Sequence, residues 1–476
     1  MNHVHFMGIG GVSMQGLARW WKADGITVSG CDLHDGPALT SLRAAGIRVA
    51  LGHDPRHLDG VDTLVTTMAV PSDHPEVLRA HELGIRVVKR IELLAELFTR
   101  RAGIGVTGSH GKSTTTGMAA TLFLAADVDP SILLGASLPS LEHNMRFGVG
   151  RHVVAEVDES DPGFATLRSE VAVVTNLSDD HVAGEHEERR NYHATFEDLS
   201  AAAVRFASLA DHVLYNGDWP GLPELLSAHP SSASFGHGAG SDYRVASVTR
   251  AGSETRFDLH LPAGRVVAVT LVVPLSHNVL NAAAALAAAD VAGLDVEAIA
   301  PALTTFGGVG RRWQRWGNVR GAEIVDDYAV HPTEVRAILV AARETGRRVR
   351  AVIQPHRWVR TARHWPALVE AAALADEVIV VDIYGAGERA IPGISPELIV
   401  ERLRERQCPA SRHTLASAAT YLEETLRDGD LVLTLGAGDV WRVAEALMHD
   451  VPLTAAPDAR TPARAVGVET SDVGRA

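Results

Sequence analysis

Cysteine and long apolar runs are both scarce in this chain of 476 residues. Its two cysteines, Cys31 and Cys408, show no metal-ligand spacing and are too few for a disulfide framework. No apolar run reaches the roughly 18 residues of a transmembrane helix, and the N-terminus lacks the features of a signal peptide. These absences predict a cytoplasmic protein that does not span a membrane.

Positive charge is also in deficit. The chain carries 58 acidic and 44 basic residues, a net charge of −14. This balance argues against nucleic-acid binding and against a basic membrane-binding surface. It leaves room for anionic small molecules, because local loops can dominate the field near a site.

Lysine is the rarest basic residue. Only Lys22, Lys89 and Lys112 occur, and all other basic residues are arginine. A lysine retained in a chain that otherwise uses arginine indicates a position where a compact ammonium group suits the chemistry.

Lys112 lies in the most informative segment, residues 104–116. An apolar strand leads into a glycine-rich turn and then into a predicted helix, which is typical of a loop whose backbone N–H groups bind phosphate. Because position 106 is Val, the strict Walker spacing is absent and the loop is a variant. The predicted ATP-binding residues of this loop are Gly108, Ser109, His110, Gly111, Lys112, Ser113 and Thr114.

Strand and helix patterns alternate along most of the chain, which predicts parallel sheets covered by helices. We expect three consecutive doubly wound α/β domains at 1–100, 101–309 and 310–455, and a disordered tail at 456–476. Short alternating segments between 243 and 273 predict an added antiparallel β segment in the central domain.

Acidic side chains follow two predicted strands of the central domain. Asp158 and Glu159 come after strand 153–157, and Asp180 and His181 come after strand 171–175. The carboxyl ends of parallel strands meet at one edge of a sheet, so we expect these groups near Lys112. Oxygen ligands of this kind suit Mg²⁺ bound together with phosphates.

The third domain places further polar residues after its strands. Pro332 predicts a helix that begins beside His331, and Arg357 and Arg360 could bind a carboxylate or a phosphate. The adjacent Arg311 and Arg312 fit either a hinge salt bridge or a phosphate clamp.

The first domain begins with a second glycine turn, Gly8-Ile9-Gly10-Gly11, and Asp32 ends its second predicted strand. The third glycine of the dinucleotide fingerprint is replaced by Ser13. The turn fits a nicotinamide site or another nucleotide diphosphate.

Taken together, these motifs resemble the Mur ligases, ATP-dependent amide-forming enzymes of peptidoglycan synthesis, and most closely their alanine-adding branch. The resemblance spans nearly the whole chain in one order. Its motifs begin at Gly8, Gly108, Glu156, Thr175, Asp180, His277, Arg311, Asp326, Gln354, Gly385 and Gly436.

The resemblance implies ATP and Mg²⁺ as cofactors and UDP-N-acetylmuramate and L-alanine as substrates, in a monomer or homodimer. The first domain would bind the UDP-sugar, the second ATP, and the third the amino acid. The implied UDP-sugar residues are Gly8, Ile9, Gly10, Gly11, Asp32 and Thr67. The implied metal ligands are Ser113, Glu159 and His181, and His277 and Asn281 would contact adenine. Arg312 and Asp326 would bind ATP, and Lys112, Glu159, His181, His331, Arg357 and Arg360 would be catalytic.

Three departures from the family keep alternatives open. Position 330 is Val where the alanine-adding branch usually has a histidine, the metal loop reads Asp180-His181-Val-Ala-Gly, and no lysine is available for a carbamylated metal bridge. One alternative is the recycling ligase that adds a preformed peptide to UDP-N-acetylmuramate. Others are a non-catalytic nucleotide-binding regulator and a nicotinamide-dependent oxidoreductase.

Overall fold

Three sheets, one after another along the chain, organise the protein. A computed structural model describes residues 2–67, 70–141, 144–180, 182, 193–251 and 254–449. His181 and the predicted tail at 456–476 lie outside the described residues. Within the described part of the chain, no helix has both the length and the apolar character needed to cross a bilayer.

The first domain is a parallel sheet flanked by helices. Its strands are β1 (His3–Met7), β2 (Thr27–Asp32), β3 (Arg48–Leu51), β4 (Thr63–Thr66) and β5 (Arg86–Lys89), and its helices are α1 (Val12–Ala23), α2 (Pro37–Ala44), α3 (Pro75–Glu82) and α4 (Arg90–Arg100). The strand order is β3-β2-β1-β4-β5. A short 3₁₀ turn, Pro55–Leu58, follows β3.

The central domain contains the sheet with the most strands, ten. Its first elements are β6 (Ala102–Thr107), α5 (Lys112–Ala125), β7 (Ser131–Leu133), β8 (Met145–Arg146), β9 (His152–Glu156), β10 (Val171–Val174), α6 (Phe196–Ser208) and β11 (His212–Asn216). They are followed by α7 (Leu222–Leu226), β12 (Ser232–Gly236), β13 (Tyr243–Ala251), β14 (Glu254–His260), β15 (Val266–Leu271), α8 (Asn278–Val291) and α9 (Val296–Ile299). The order is β15-β14-β13-β12-β11-β10-β6-β9-β7-β8. Strands β13, β14 and β15 pair antiparallel, which confirms the predicted added segment.

The third domain is a six-stranded sheet with one antiparallel edge strand. Its elements are β16 (Gln314–Val319), β17 (Ala322–Asp327), α10 (Pro332–Glu344), β18 (Arg348–Ile353), α11 (Trp358–Ala372), β19 (Glu377–Val380), α12 (Pro396–Glu405), β20 (Ala410–Arg412), α13 (Leu415–Thr425), β21 (Asp430–Leu435) and α14 (Trp441–His449). The order is β16-β17-β21-β18-β19-β20. The edge strand β16 was not predicted, since its alternation of Trp, Arg and Gly follows no clear period.

The core of the central domain fixes the position of α5. Helix α8 is rich in alanine, and residues 282–289 have no exposed surface. These small side chains belong to the same buried cluster as Met118 and Phe123 of α5. Because α5 packs against both this helix and the sheet, the loop at its N-terminus is held as well.

Candidate active site

The loop between β6 and α5 depends on two glycines. Gly108 has φ +128°, and a Cβ there would lie 2.2 Å from Thr175 Oγ1 and 2.7 Å from the carbonyl oxygen of Asn176. Gly111 has φ +83° at the N-terminus of α5, and its Cβ would lie 2.7 Å from Asn281 Oδ1. Only glycine fits these positions without movement of neighbouring atoms. The loop therefore presents the N-terminus of a 14-residue helix to its surroundings.

Residues at the end of β10 brace this loop. The Asn176 side chain accepts a hydrogen bond from His110 N at 2.8 Å and donates one to His110 O at 2.9 Å. Thr175 Oγ1 also donates to His110 O at 2.7 Å, and Ser178 N donates to Ser109 Oγ at 2.9 Å. The segment after β10 therefore holds the loop between β6 and α5 in shape, and the two lie at the same edge of the sheet.

Lys112 lies against carboxylates that follow β9. Its Nζ is 2.7 Å from Glu159 Oε2 and donates to Gly108 O at 2.6 Å. Burial by itself would lower the pKa of Lys112, but the charges of Glu159, Asp158 and Glu156 outweigh it and raise the pKa. The ammonium group is therefore held charged beside the phosphate loop.

The same place offers oxygen ligands for a hard cation. Glu156 and Asp158 line the cavity in front of Lys112, together with Ser113. Glu159 is completely buried behind Lys112. Carboxylate and hydroxyl oxygens beside a phosphate loop fit Mg²⁺. The third predicted ligand, His181, lies outside the described residues.

A cavity of about 390 Å³ opens where the three domains meet. The predicted site residues on its wall are Ser109, Gly111, Lys112, Ser113, Arg312, Arg357 and Arg360. Polar side chains that the sequence pattern did not assign also line it: Ser13, Arg90, Asn144, Ser160, Tyr328, Glu334 and His356. Positively and negatively charged side chains therefore line the same cavity.

A second cavity, of about 600 Å³, adjoins the first at Gly111 and Ser113. The predicted residues on its wall are His110, Gly111, Ser113, Thr114, His277, Asn281 and Arg312. Its remaining wall is largely apolar and includes Val273, Leu275 and Phe306. A flat heterocycle fits such walls, with its polar tail directed to the phosphate loop.

Arg312 and Asp326 have different surroundings. Arg312 lines both cavities and packs over the Tyr328 ring at 5.3 Å. Asp326 lines neither cavity, because its oxygens pair with Arg311 at 2.9 Å and Thr434 at 2.6 Å. Its neighbour Asp327 lines the second cavity, and burial raises the pKa of Asp327 to about 6 despite the charge of Arg312. The structure thus brings Arg312, and not Asp326, to the cavities.

The catalytic residues predicted in the third domain gather around the start of α11. Arg357 pairs with Glu388, and Arg360 Nε donates to Asp180 Oδ1 at 2.9 Å. His331 lines neither cavity, and its ring centroid lies 5.3 Å from that of His110 on the wall of the second cavity. Burial lowers the pKa of His331 to about 4, so its imidazole is neutral at pH 7.

The glycine turn of the first domain lies outside both cavities. Gly10 N donates to Asp32 Oδ2 at 2.8 Å, and Gly8 has φ +68°. Asp32 therefore shapes the turn, and its predicted contact with the UDP-sugar stays a prediction. Thr67 follows β4, which pairs with β1, so it lies at the same sheet edge. Gly8, Ile9, Gly10, Gly11, Asp32 and Thr67 line neither cavity.

Glu334 joins the central and third domains. Its Oε1 is 3.0 Å from His110 Nδ1, and its Oε2 accepts from Val330 N at 3.1 Å. Burial alone would raise the pKa of Glu334, but the hydrogen bond from His110 and the charge of Arg312 hold it well below its usual range. The spacing His331-x-x-Glu334 is that of a capping box, and the structure has one here. That spacing predicts only where the helix begins. It does not reveal the contact between Glu334 and His110, which are 224 residues apart in the sequence.

We expect Glu334→Gln to lower the free energy of unfolding by about 2 kcal/mol at pH 7, since a charge-assisted bond is lost. The folded-state pKa lies below the ordinary 4.5, so this stabilisation is present above pH 4.5 and is lost as the pH falls below it. Urea unfolding from pH 7.5 down to about pH 2.5 should therefore show a constant difference between the two proteins above pH 5 and convergence as the pH falls below 4.5. Glu344→Gln, an exposed pair with Arg250 at the other end of α10, should change stability by less than about 0.5 kcal/mol. A difference between wild type and Glu334→Gln that does not change with pH would contradict the assignment.

Comparison with known proteins adds to this geometry. Residues 3–102 match the family described as Mur ligase family, catalytic domain, residues 106–289 match the Mur ligase middle domain, and residues 311–438 match the Mur ligase, glutamate ligase domain. A UDP-N-acetylmuramate–L-alanine ligase from Deinococcus radiodurans is 43% identical over 94% of this chain and 93% of its own. One from Sorangium cellulosum is 38% identical over 92% of this chain and 94% of its own.

Solved structures agree on the fold. The UDP-N-acetylmuramate–alanine ligase of Thermotoga maritima superposes with a TM-score of 0.81 at 27% identity, over 94% of this chain and 99% of that one. A murein peptide ligase from Psychrobacter arcticus gives a TM-score of 0.69 at 22% identity, over 95% of this chain and 100% of that one, a likeness that shows the fold alone. With three domain matches in order and close relatives along nearly its full length, the chain belongs to the Mur ligase family.

Proposed function

We propose that this chain is an ATP-dependent ligase that joins L-alanine to the lactyl carboxylate of UDP-N-acetylmuramate in the synthesis of peptidoglycan precursors. One observation carries the proposal. Lys112 and the carboxylates beside it face Arg357 and Arg360 across a cavity lined by all three domains. Relatives at 36–43% identity over nearly the whole chain carry the name of this ligase, which supports the choice of substrates.

The two cavities suggest how ATP would lie. The apolar second cavity would hold the nucleoside, with His277 and Asn281 at the adenine. The phosphates would pass along Gly108–Thr114 to Lys112 in the first cavity. The glycine turn and Thr67 of the first domain would bind the uridine diphosphate, with the sugar directed toward Ser13 and Arg90 on the cavity wall.

The chemistry follows from the weakness of a carboxylate as an electrophile. Transfer of the γ-phosphoryl group of ATP to the lactyl carboxylate gives an acyl phosphate and ADP, and the amino group of alanine then displaces phosphate. Lys112 would stabilise charge that develops on the transferred group. Mg²⁺ held by Ser113 and Glu159, with His181, would neutralise phosphate charge when bound. Arg357 and Arg360 would close the cavity and keep water from the acyl phosphate.

The acceptor pocket carries the main alternative. Val330 lines the first cavity beside Tyr328 and Glu334, where a histidine is usual in the alanine-adding branch. The smaller apolar side chain leaves more room, which is the observation that favours the peptide-adding recycling ligase as second candidate. The cytoplasm is the proposed location, and Cys31 and Cys408, neither of which forms a disulfide, agree with a reducing compartment.

The test is phosphate release from ATP with Mg²⁺ and UDP-N-acetylmuramate, with L-alanine, glycine, L-serine or a tripeptide as acceptor. We expect turnover that requires both the sugar nucleotide and L-alanine, at a rate at least roughly tenfold above that with glycine or L-serine. Turnover with the tripeptide alone would indicate the recycling ligase. ATP binding with no turnover for any acceptor would indicate a regulator, and reduction of NAD would indicate an oxidoreductase.

A further inference from the structure

The first domain buries a cluster of metal-binding side chains that the ligase chemistry does not use. Suitable ligand atoms of His5, Cys31, His57 and Glu76 all lie within 4.8 Å of one another. They come from β1, β2, the 3₁₀ turn Pro55–Leu58 and the start of α3. The four residues are 26, 26 and 19 positions apart in the sequence, so they form no short sequence motif.

The distances from Cys31 to His5 and Glu76 match those between ligands around one ion. Cys31 Sγ is 3.4 Å from His5 Nε2 and 3.6 Å from each oxygen of Glu76, and the part-buried ring of His53 lies beside the cluster with its Nδ1 3.1 Å from the same sulfur. His57 Nδ1 is 3.0 Å from Glu76 Oε1. In a tetrahedral zinc site with Zn–S of about 2.3 Å and Zn–N of about 2.0 Å, neighbouring ligand atoms are about 3.3–3.6 Å apart.

Burial and charge also favour a cation. Glu76 and Cys31 have no exposed surface, and His5 is 2% exposed. Within the described residues, the ion-pair partners of Glu76 are His53 at 3.2 Å and His57 at 3.0 Å, and no lysine or arginine pairs with it. A dipositive ion bound to one thiolate, one carboxylate and two neutral imidazoles would leave the site with no net charge.

The donor set identifies the class of metal. Thiolate and imidazole ligands select zinc over Mg²⁺, which prefers oxygen. His5 Nδ1 is 2.9 Å from Ser29 Oγ, a contact that orients the ring so that Nε2 faces Cys31. Four protein ligands leave no open position, which is typical of a structural site.

We propose that His5, Cys31, His57 and Glu76 form a structural Zn²⁺ site. The ion links two strands, a turn and a helix. It also fixes the base of the glycine turn, because Gly8 N and Ile9 N donate to the carbonyl of Cys31 at 2.8 and 3.1 Å. The site does not depend on the identity of the ligase substrates.

Cobalt titration of the metal-free full-length chain tests the site. The protein carries Cys408→Ser, so that Cys31 is its only thiol; Cys408 is buried in the core of the third domain, remote from the cluster. We expect a thiolate-to-Co²⁺ charge-transfer band and tetrahedral ligand-field bands that saturate at one equivalent and disappear when Zn²⁺ is added. Metal bound at the oxygen-rich ATP site gives no thiolate band.

Two variants and a matched control complete the test. His57→Ala, at a half-buried ring, and Glu76→Gln should bind Co²⁺ at least roughly 100-fold more weakly. Glu82→Gln, on the exposed side of the same helix, should bind like the parent. Circular dichroism checks the fold of each variant. The absence of a thiolate band in the folded parent, or equal Co²⁺ affinity in folded Glu76→Gln and Glu82→Gln, would overturn the proposal.

Discussion

Replacing Lys112 by methionine is expected to slow phosphate release with UDP-N-acetylmuramate and L-alanine about 1000-fold. The ammonium group lies in the phosphate loop, 2.7 Å from Glu159, and its pKa is raised by three neighbouring carboxylates. Methionine keeps the length of the side chain and removes the charge that would stabilise the transferred phosphoryl group. Lys112→Arg should recover little, since a planar guanidinium does not fit a space made for a compact ammonium.

The chain supplies its own control for this variant. Lys22 is exposed on α1, and Lys22→Met should keep the rate of the parent. Lys112→Met also leaves the buried Glu159 without its ammonium partner, which affects stability. Thermal unfolding of the variant therefore distinguishes a loss of catalytic activity from a loss of folded structure. A folded Lys112→Met protein with a rate within about tenfold of the parent would remove Lys112 from the proposed mechanism.

Gly108→Ala is expected to weaken ATP binding roughly 100-fold and to lower the free energy of unfolding by about 3 kcal/mol. The added Cβ would lie 2.2 Å from Thr175 Oγ1 and 2.7 Å from the carbonyl oxygen of Asn176. Both atoms belong to the segment after β10 that braces the loop, so the loop must move away from that segment. Fluorescent-nucleotide titration and urea unfolding measure the two effects.

Gly293→Ala separates backbone strain from the clash. Gly293 has φ +81° and open space around its Cβ position. Alanine there should cost about 1 kcal/mol for the positive φ and leave ATP binding unchanged. If Gly108→Ala and Gly293→Ala changed ATP binding and stability equally, the close approach of position 108 to Thr175 and Asn176 would have no role in ATP binding.

The sequence determined those parts of the site that follow from the order and direction of the strands and helices. A strand followed by a glycine turn and Lys112 predicts a phosphate-binding loop, and acidic residues after neighbouring parallel strands must lie at the same edge of the sheet. Glu159 and Asn176 accordingly lie against the loop. The antiparallel segment in the central domain could also be predicted from local sequence, because each hairpin has its own alternation of apolar and polar residues and its own turn.

Only the tertiary structure decided which residues pair when they are distant in the sequence. Asp326 was predicted to end a strand and to bind ATP; in the structure it pairs with Arg311 and Thr434, and Asp327, the last residue of β17, lines the second cavity. Glu334 meets His110 from another domain, and Cys31 meets Glu76 through the packing of α3 on the sheet. Strand and helix periods specify which face of an element is buried, but the partner across that face depends on how whole domains pack, and no local pattern encodes it.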